Sequence, residues 1–259
     1  MQPNIEMLEE WARYAGEILR AGYGKRHEIN RKGRIDLVTE IDKRSEDYLL
    51  GMVRSHFPDH SIEAEESGVF AGLDEARWYI DPLDGTTNYA HDIPIFSVSI
   101  AFAQNGRVQL GVVYDPMRDE CFRAERGKGA TLNGSPISVS SITELSHSLL
   151  ASGFPYDIAS GKADNLKQYA HFTRHTQGVR RSGSAALDLC YVAAGRCDGY
   201  WELAVESWDL AAGALIVEEA GGRISRADGE PNYLLPPHSL VSGNPAIYER
   251  ILQDLRKLD

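Results

Sequence analysis

The sequence predicts a mixed helix-and-sheet protein in two unlike halves, an α+β arrangement over residues 1–145 and an α/β alternation over residues 146–259. Three observations lead there. Ile5, Leu8, Trp11 or Ala12, Ala15, Ile18 and Leu19 recur at helical spacing, with Glu6, Glu9, Glu10 and Arg13 between them, as in an amphipathic helix. Phe96, Val98, Ile100 and Phe102 alternate with period two and lead to Asn105-Gly106, a strong hairpin signal. From residue 149 onward, short apolar runs alternate with helical patterns. The boundary falls near residues 138–147, a Ser/Thr-rich stretch.

In chain order, the first helix is followed by a glycine-rich basic stretch, residues 22–34, carrying Lys25, Arg26, Arg31, Lys32 and Arg34. It reads as a loop whose charge could reach a phosphate or simply be solvated. Residues 36–42 enter a second helix with an apolar face of Ile41, Tyr48, Leu49, Met52 and Val53. Thr39 and Asp42 there form an S/T-x-x-D capping pattern. Residues 61–68 hold Glu63, Glu65 and Glu66 behind a short strand signal. Beyond the strand at Phe96, which should bury one face, a return strand runs over residues 108–114. A turn at Asp115-Pro116 and another strand over 120–124 complete an antiparallel meander, with further turns over 128–134.

The second half reads as strand 149–153, helix 165–175, strand 178–181, helix 185–194, strand 200–201, helix 209–220 closed by Gly221-Gly222, and strands 223–225 and 239–242. The last helix, 246–257, follows Asn244-Pro245, an N-cap with proline at the first helical position.

At 259 residues the chain can form one large domain or two smaller ones sharing a cleft. A net charge of −11 argues against a nucleic-acid partner, which needs a basic stripe, but not against a phosphorylated substrate neutralised by bound cations. Cys121, Cys190 and Cys197, an odd count without framework spacing, read as free thiols in a reducing compartment. No signal-peptide pattern and no apolar window of membrane-spanning length is seen, so a cytoplasmic location with no membrane partner is expected.

The stretch richest in chemistry is residues 78–88. The bulky residues Trp78, Tyr79 and Ile80 run into Asp81-Pro82-Leu83-Asp84-Gly85-Thr86-Thr87-Asn88. Pro82 biases Asp81 toward extended backbone, and Gly85 permits a turn that a Cβ would hinder. A tight turn here would aim both carboxylates and the Leu83 carbonyl into one space, the ligand set of a hard divalent cation such as Mg²⁺. A helix start at Thr86 would suit a phosphate. The bland alternative is a strand ending in a solvated Asp-Pro turn. A further acid, Asp209, stands at another helix start, where an anionic side chain is favoured as a plain cap. It is followed by Ala211, Ala212 and Gly213, small enough for close helix approach. Gly183-Ser184 offers a helix start with little side chain, open to a sugar or phosphate.

Together these motifs resemble the inositol monophosphatase family. The resemblance rests on residues 36–39 with Asp42, on Ala64-Glu65-Glu66-Ser67, on residues 78–88 with His91, on Gly183-Ser184-Ala185-Ala186, and on Trp208-Asp209 with Ala211-Ala212-Gly213 and Glu219-Ala220-Gly221-Gly222. It implies a layered αβαβα sugar-phosphatase fold and a Mg²⁺-dependent phosphomonoesterase, usually a lithium-sensitive homodimer. By position, Glu65, Asp81 and the Leu83 carbonyl should hold one metal, and Asp81, Asp84 and Asp209 a second. A third, weaker ion would rest on Glu65. Thr86, bonded to Asp42, should position the attacking water, with Asp42, Thr86 and Glu65 as the catalytic set. Asp84, Gly85, Thr86, Gly183, Ser184, Ala185, Glu202, Asp209 and Lys32 should contact the substrate, a small-molecule phosphate ester. No cysteine or histidine nucleophile is needed, and His91 is expected to shape the site or pack rather than perform chemistry. Tyr89 stands where phenylalanine is commoner, and residues 201–207 lie where members differ in leaving group.

Overall fold

The computed structural model describes residues 2–25, 29–31, 37–155 and 164–258. Helix α1 (Ile5–Gly22) starts at Asn4, whose side chain accepts the Met7 amide at 3.0 Å. Strands β1 (Ile29–Arg31) and β2 (Leu37–Thr39) then pair antiparallel. Residues 29–31 of the expected loop and residues 37–39 of the expected helix entry therefore form a two-stranded ribbon, and α2 (Glu40–His56) begins only after it. Next come β3 (His60–Ala64), β4 (Gly68–Phe70), β5 (Leu73–Asp84), the single turn α3 (Thr86–Ala90), β6 (Ser97–Gln104), β7 (Arg107–Asp115), β8 (Glu120–Glu125), β9 (Ala130–Leu132) and β10 (Ser135–Pro136). The second half supplies β11 (Leu149–Ser152), α4 (Leu166–His175), β12 (Gly178–Arg180), α5 (Ala185–Ala193), β13 (Gly199–Glu202), α6 (Ser207–Glu219), β14 (Arg223–Ser225), β15 (Leu240–Gly243) and α7 (Pro245–Leu258). Asn244 caps α7 by accepting the amides of Ala246 and Ile247, both at 3.0 Å.

Eight strands form one sheet in the order β10-β9-β8-β7-β6-β5-β3-β4, antiparallel except for the parallel β3–β5 pair. Five form a second, β12-β11-β13-β15-β14, with parallel pairs around β11 and antiparallel pairs around β15. The side-chain clusters stack these into five layers. Trp78, Ile80, Ile100 and Val112 pack under Leu8, Trp11 and Leu49 of α1 and α2. On the opposite face of the same sheet, Tyr79, Ala101 and Val113 meet Leu187, Leu189, Leu210 and Ala211 of α5 and α6. The second sheet packs Tyr200 against those helices and Leu150, Trp201 and Val241 against Phe172 of α4 and Ile251 of α7. The order is helix pair, sheet, helix pair, sheet, helix pair: the expected αβαβα layering.

The period-two pattern of β6 predicts one buried face. Both are buried, because Ser97, Ser99, Ala101 and Ala103 fill the other with small side chains against the second helix pair. Close approach also shapes that pair. A Cβ on Gly213 of α6 would sit 2.7 Å from Leu189 of α5, closer than carbon atoms can lie.

The same alternation fixes which way the acids face. In a strand, alternate side chains share a face. Tyr79 looks toward α6, so Asp81 emerges on the α6 side; Tyr200 looks toward α5, and so does Glu202.

Candidate active site

Asp81-Pro82-Leu83-Asp84 is not the turn that its composition suggested. Strand β5 continues through Asp84, which pairs with Ser97, and the extra residues are taken up as a β-bulge between Asp81 and Asp84. A bulge bends the strand and frees its backbone groups locally. Here the Pro82 carbonyl accepts the Ser45 hydroxyl at 2.9 Å, and the Leu83 amide closes onto Asp81 Oδ1 at 2.9 Å. The effect is the one the turn reading sought: two carboxylates and a carbonyl on one side of the strand.

Gly85 then turns the chain at φ 102°, a conformation that suits glycine, into α3. Thr86, the first residue of α3, is buried. Its hydroxyl lies 3.1 Å from Asp42 Oδ1 and 3.0 Å from the Leu83 carbonyl, with one proton to give between them. Asp42 is fully buried in the first turn of α2. Its capping pattern with Thr39 is thus accompanied by a tertiary partner. The hydroxyl of Tyr89 donates to the Leu19 carbonyl at 2.8 Å, fastening α3 to the end of α1.

Asp84 faces the second half of the molecule. It accepts the Ala186 amide at 2.9 Å, the Ala185 amide at 3.1 Å, the Ser97 hydroxyl at 3.2 Å and the Ser184 hydroxyl. The amides that the start of α5 was expected to offer a ligand are therefore engaged by this carboxylate. Asp209 is the third residue of α6 rather than its cap, and its Oδ2 accepts the Glu206 amide at 2.9 Å. The start of α6 is held to the first half by Ser207, whose hydroxyl donates to Glu63. Glu63 in turn takes Arg77 Nη1 at 3.0 Å.

Electrostatically this is a gathering of like charges. Burial, then the charges of Glu65, Asp84 and Asp209, push the Asp81 carboxyl well above its ordinary range. Burial and the Asp84 charge do the same to Asp209. Burial raises Asp84 too, against the opposing pull of its four donors. Among the described residues none of these three is bonded to a lysine or arginine. Nor, among the described residues, do three acidic, histidine or cysteine side chains close into a ready-made metal cage. The all-oxygen donor set with surplus negative charge fits a hard divalent cation such as Mg²⁺.

A cleft of about 400 Å³ opens beside these acids. Of the residues expected at the substrate, Asp84, Gly183, Ser184, Ala185, Glu202 and Asp209 line it. Gly85 and Thr86 lie one residue or two beyond Asp84. Lys32 lies outside the described residues, as do Arg26, Arg34 and Asp36. His91 is exposed at the end of α3 and does not line the cleft. The sequence reading missed Asp188, Tyr200 and Arg181, all of which do. The available signal for Asp188 was a single acid inside the apolar helix pattern Ala185-Ala186-Leu187-Asp188-Leu189-Cys190.

Among the described residues no helix is long and apolar enough to cross a membrane. The three cysteines are free and buried.

Comparison with known proteins agrees with this architecture. The family model described as "Inositol monophosphatase family" matches residues 1–259. A protein of Pasteurella multocida named "Nus factor SuhB" is 43% identical over 259 residues, spanning 99% of this chain and 97% of that one. An "Inositol-1-monophosphatase" of Synechocystis is 46% identical over 257 residues, spanning 98% and 89%. The solved structure of inositol monophosphatase from Anabaena superposes with a TM-score of 0.88 at 45% identity, covering 98% of this chain and 96% of that one. The carboxylate-lined cleft between two stacked sheets is thus set in a chain that belongs to the inositol monophosphatase family.

Proposed function

We propose that the protein is a Mg²⁺-dependent phosphomonoesterase that hydrolyses inositol monophosphate to inositol and phosphate by attack of water, without a phosphoenzyme. The observation that carries this reading is the convergence of the buried acids Asp81, Asp84 and Asp209 beside a cleft that Asp84, Asp209 and Glu202 line. In this reading Glu65, Asp81 and the Leu83 carbonyl hold one ion, Asp81, Asp84 and Asp209 a second, and Glu65 a third, weaker one. When bound, Mg²⁺ would clamp the phosphoryl oxygens, acidify a water and stabilise the leaving alkoxide.

The protein's own groups then have distinct tasks. Asp42 accepts a hydrogen bond from the Thr86 hydroxyl, which leaves the lone pairs of Thr86 Oγ1 turned to a water and able to orient it. The amides of Gly85 and Thr86 meet phosphate oxygens. Gly183, Ser184, Ala185 and Glu202 border the leaving group, and Lys32 is assigned to the phosphate side. Residues 1–145 form the subdomain that supplies most of the metal ligands, and residues 146–259 the one that supplies Asp209 and the leaving-group contacts. A lithium-sensitive cytoplasmic homodimer goes with this reading on the strength of the family resemblance.

A panel of phosphate esters assayed with Mg²⁺ tests it. Inositol 1-phosphate should be among the fastest. Much faster turnover of fructose 1,6-bisphosphate, histidinol phosphate, NADP or adenosine bisphosphate would replace the substrate while keeping the chemistry. The name of the Pasteurella relative, a Nus factor, favours a second and compatible role in RNA metabolism through protein contacts. A catalytically dead Asp84→Asn protein that still supports such a role in cells lacking the wild type would separate the two.

A further inference from the structure

The leaving-group end of the cleft contains an acid beyond those already assigned. Asp188 sits one turn into α5, is 3% exposed and lines the cleft. Its Oδ1 has no hydrogen-bond partner among the described residues. Glu202, 8% exposed, lines the same region and accepts the hydroxyl of the fully buried Tyr200. The two acids are near enough that the charge of Asp188 raises Glu202, and burial pushes each carboxyl up to about 8. A buried carboxyl oxygen left without a partner is costly, and the cost is removed only if a donor enters from the cleft. A carboxylate accepts hydrogen bonds, and a neutral carboxyl both accepts and donates. Hydroxyl groups, as both donors and acceptors, satisfy either form.

We propose that Asp188 is a specificity-determining residue. Its unpartnered Oδ1, in the cleft that Glu202 also lines, accepts a hydroxyl of an uncharged polyhydroxylated leaving group. This rests on the phosphomonoesterase reading and narrows its substrate to monoesters of polyols.

The experiment compares kcat and KM of the Mg²⁺-loaded wild type and the near-isosteric Asp188→Asn variant on inositol 1-phosphate, glucitol 6-phosphate, fructose 1,6-bisphosphate and phenyl phosphate, which has no hydroxyls. The ratio of kcat/KM for the preferred polyol ester to that for phenyl phosphate should fall about tenfold in the variant, or about 1.4 kcal/mol, mainly through KM. A purely structural role would lower all esters together and leave the ratios in place. Ratios within twofold of wild type therefore overturn the proposal, as does a wild type with no preference for any polyol ester over phenyl phosphate. A wild type that prefers glucitol 6-phosphate, with that preference lost in Asp188→Asn, upholds Asp188 while overturning inositol phosphate as the substrate. Binding of free inositol to the two proteins, measured by calorimetry with Mg²⁺ and inorganic phosphate present, gives a reading independent of turnover: weakening of about tenfold supports the role, and equal affinity counts against it.

Discussion

Asp84, the last residue of β5, accepts the amide of Ala186 at 2.9 Å across the boundary between the two halves of the chain. One carboxylate therefore closes the start of α5 and stands among the acids of the cleft. Helix starts favour such an anion because their first amides lack intrahelical partners.

That double use makes Asp84→Asn informative. The change removes one charge from a crowded acidic site, which relieves repulsion, while an amide oxygen can still accept one α5 amide. The folded state should survive, with a melting temperature within a few degrees of wild type by differential scanning calorimetry without metal. Mg²⁺-dependent turnover should fall by about 10²-fold or more, the scale on which disturbed metal sites lose function. Full activity in this variant would show that the carboxylates are misassigned.

Thr86 offers a second handle. Thr86→Ala removes the hydroxyl that lies 3.1 Å from Asp42 Oδ1, and should lower kcat by about 10²-fold with little change in KM, in line with a group that acts on the reacting water. Thr86→Ser keeps the hydroxyl and should recover most of the rate. Equal rates for the Ala and Ser variants would mean that the hydroxyl does nothing in turnover.

Asp188 makes a prediction about pH. Burial moves its carboxyl from 3.8 to about 8. Between those values the unfolded chain has released a proton that the folded chain keeps, so this residue makes folding less favourable as pH rises through the window. Below it both states are protonated, and above it the penalty levels off. Asp188→Asn removes the effect. Its gain in stability over wild type, read from urea midpoints in EDTA, should grow from pH 5 to pH 8. A gain that is constant with pH would contradict this.

The contact of Ser207 with Glu63, itself paired with Arg77, holds the start of α6 and hence Asp209 against the first sheet. Glu63→Ala leaves the Ser207 hydroxyl and Arg77 without this partner. The cost to folding should be about 1 kcal/mol. The larger effect should be on metal: half-saturation by Mg²⁺, followed by activity or thermal shift, should need several-fold more ion. An unchanged Mg²⁺ titration would mean that Asp209 is held by its own helix alone.

The sequence by itself determined most of the main elements and pointed to the chemistry. The helical spacing of residues 5–19, the alternation of residues 96–102 and the Asn105-Gly106 hairpin are local patterns, and local geometry enforces them. The motifs around Asp42, Glu65, Asp81, Asp84 and Asp209 were legible because each carries its residues within a few positions. The tertiary structure decided what depends on distant partners. It turned Asp81-Pro82-Leu83-Asp84 into a bulge because β6 pairs on both sides of it, at Ser99 and Ser97. It buried both faces of β6 because α6 lies where a meander alone would have met water. It gave the α5 amides to Asp84, 101 and 102 residues away in sequence. It also brought Asp188, which in one dimension is a lone acid in an apolar helix, into the cleft that Glu202 lines. Strand parity explains the last convergence: once Tyr79 and Tyr200 are buried toward the central helices, the side chains two positions further on, Asp81 and Glu202, follow them to the same layer.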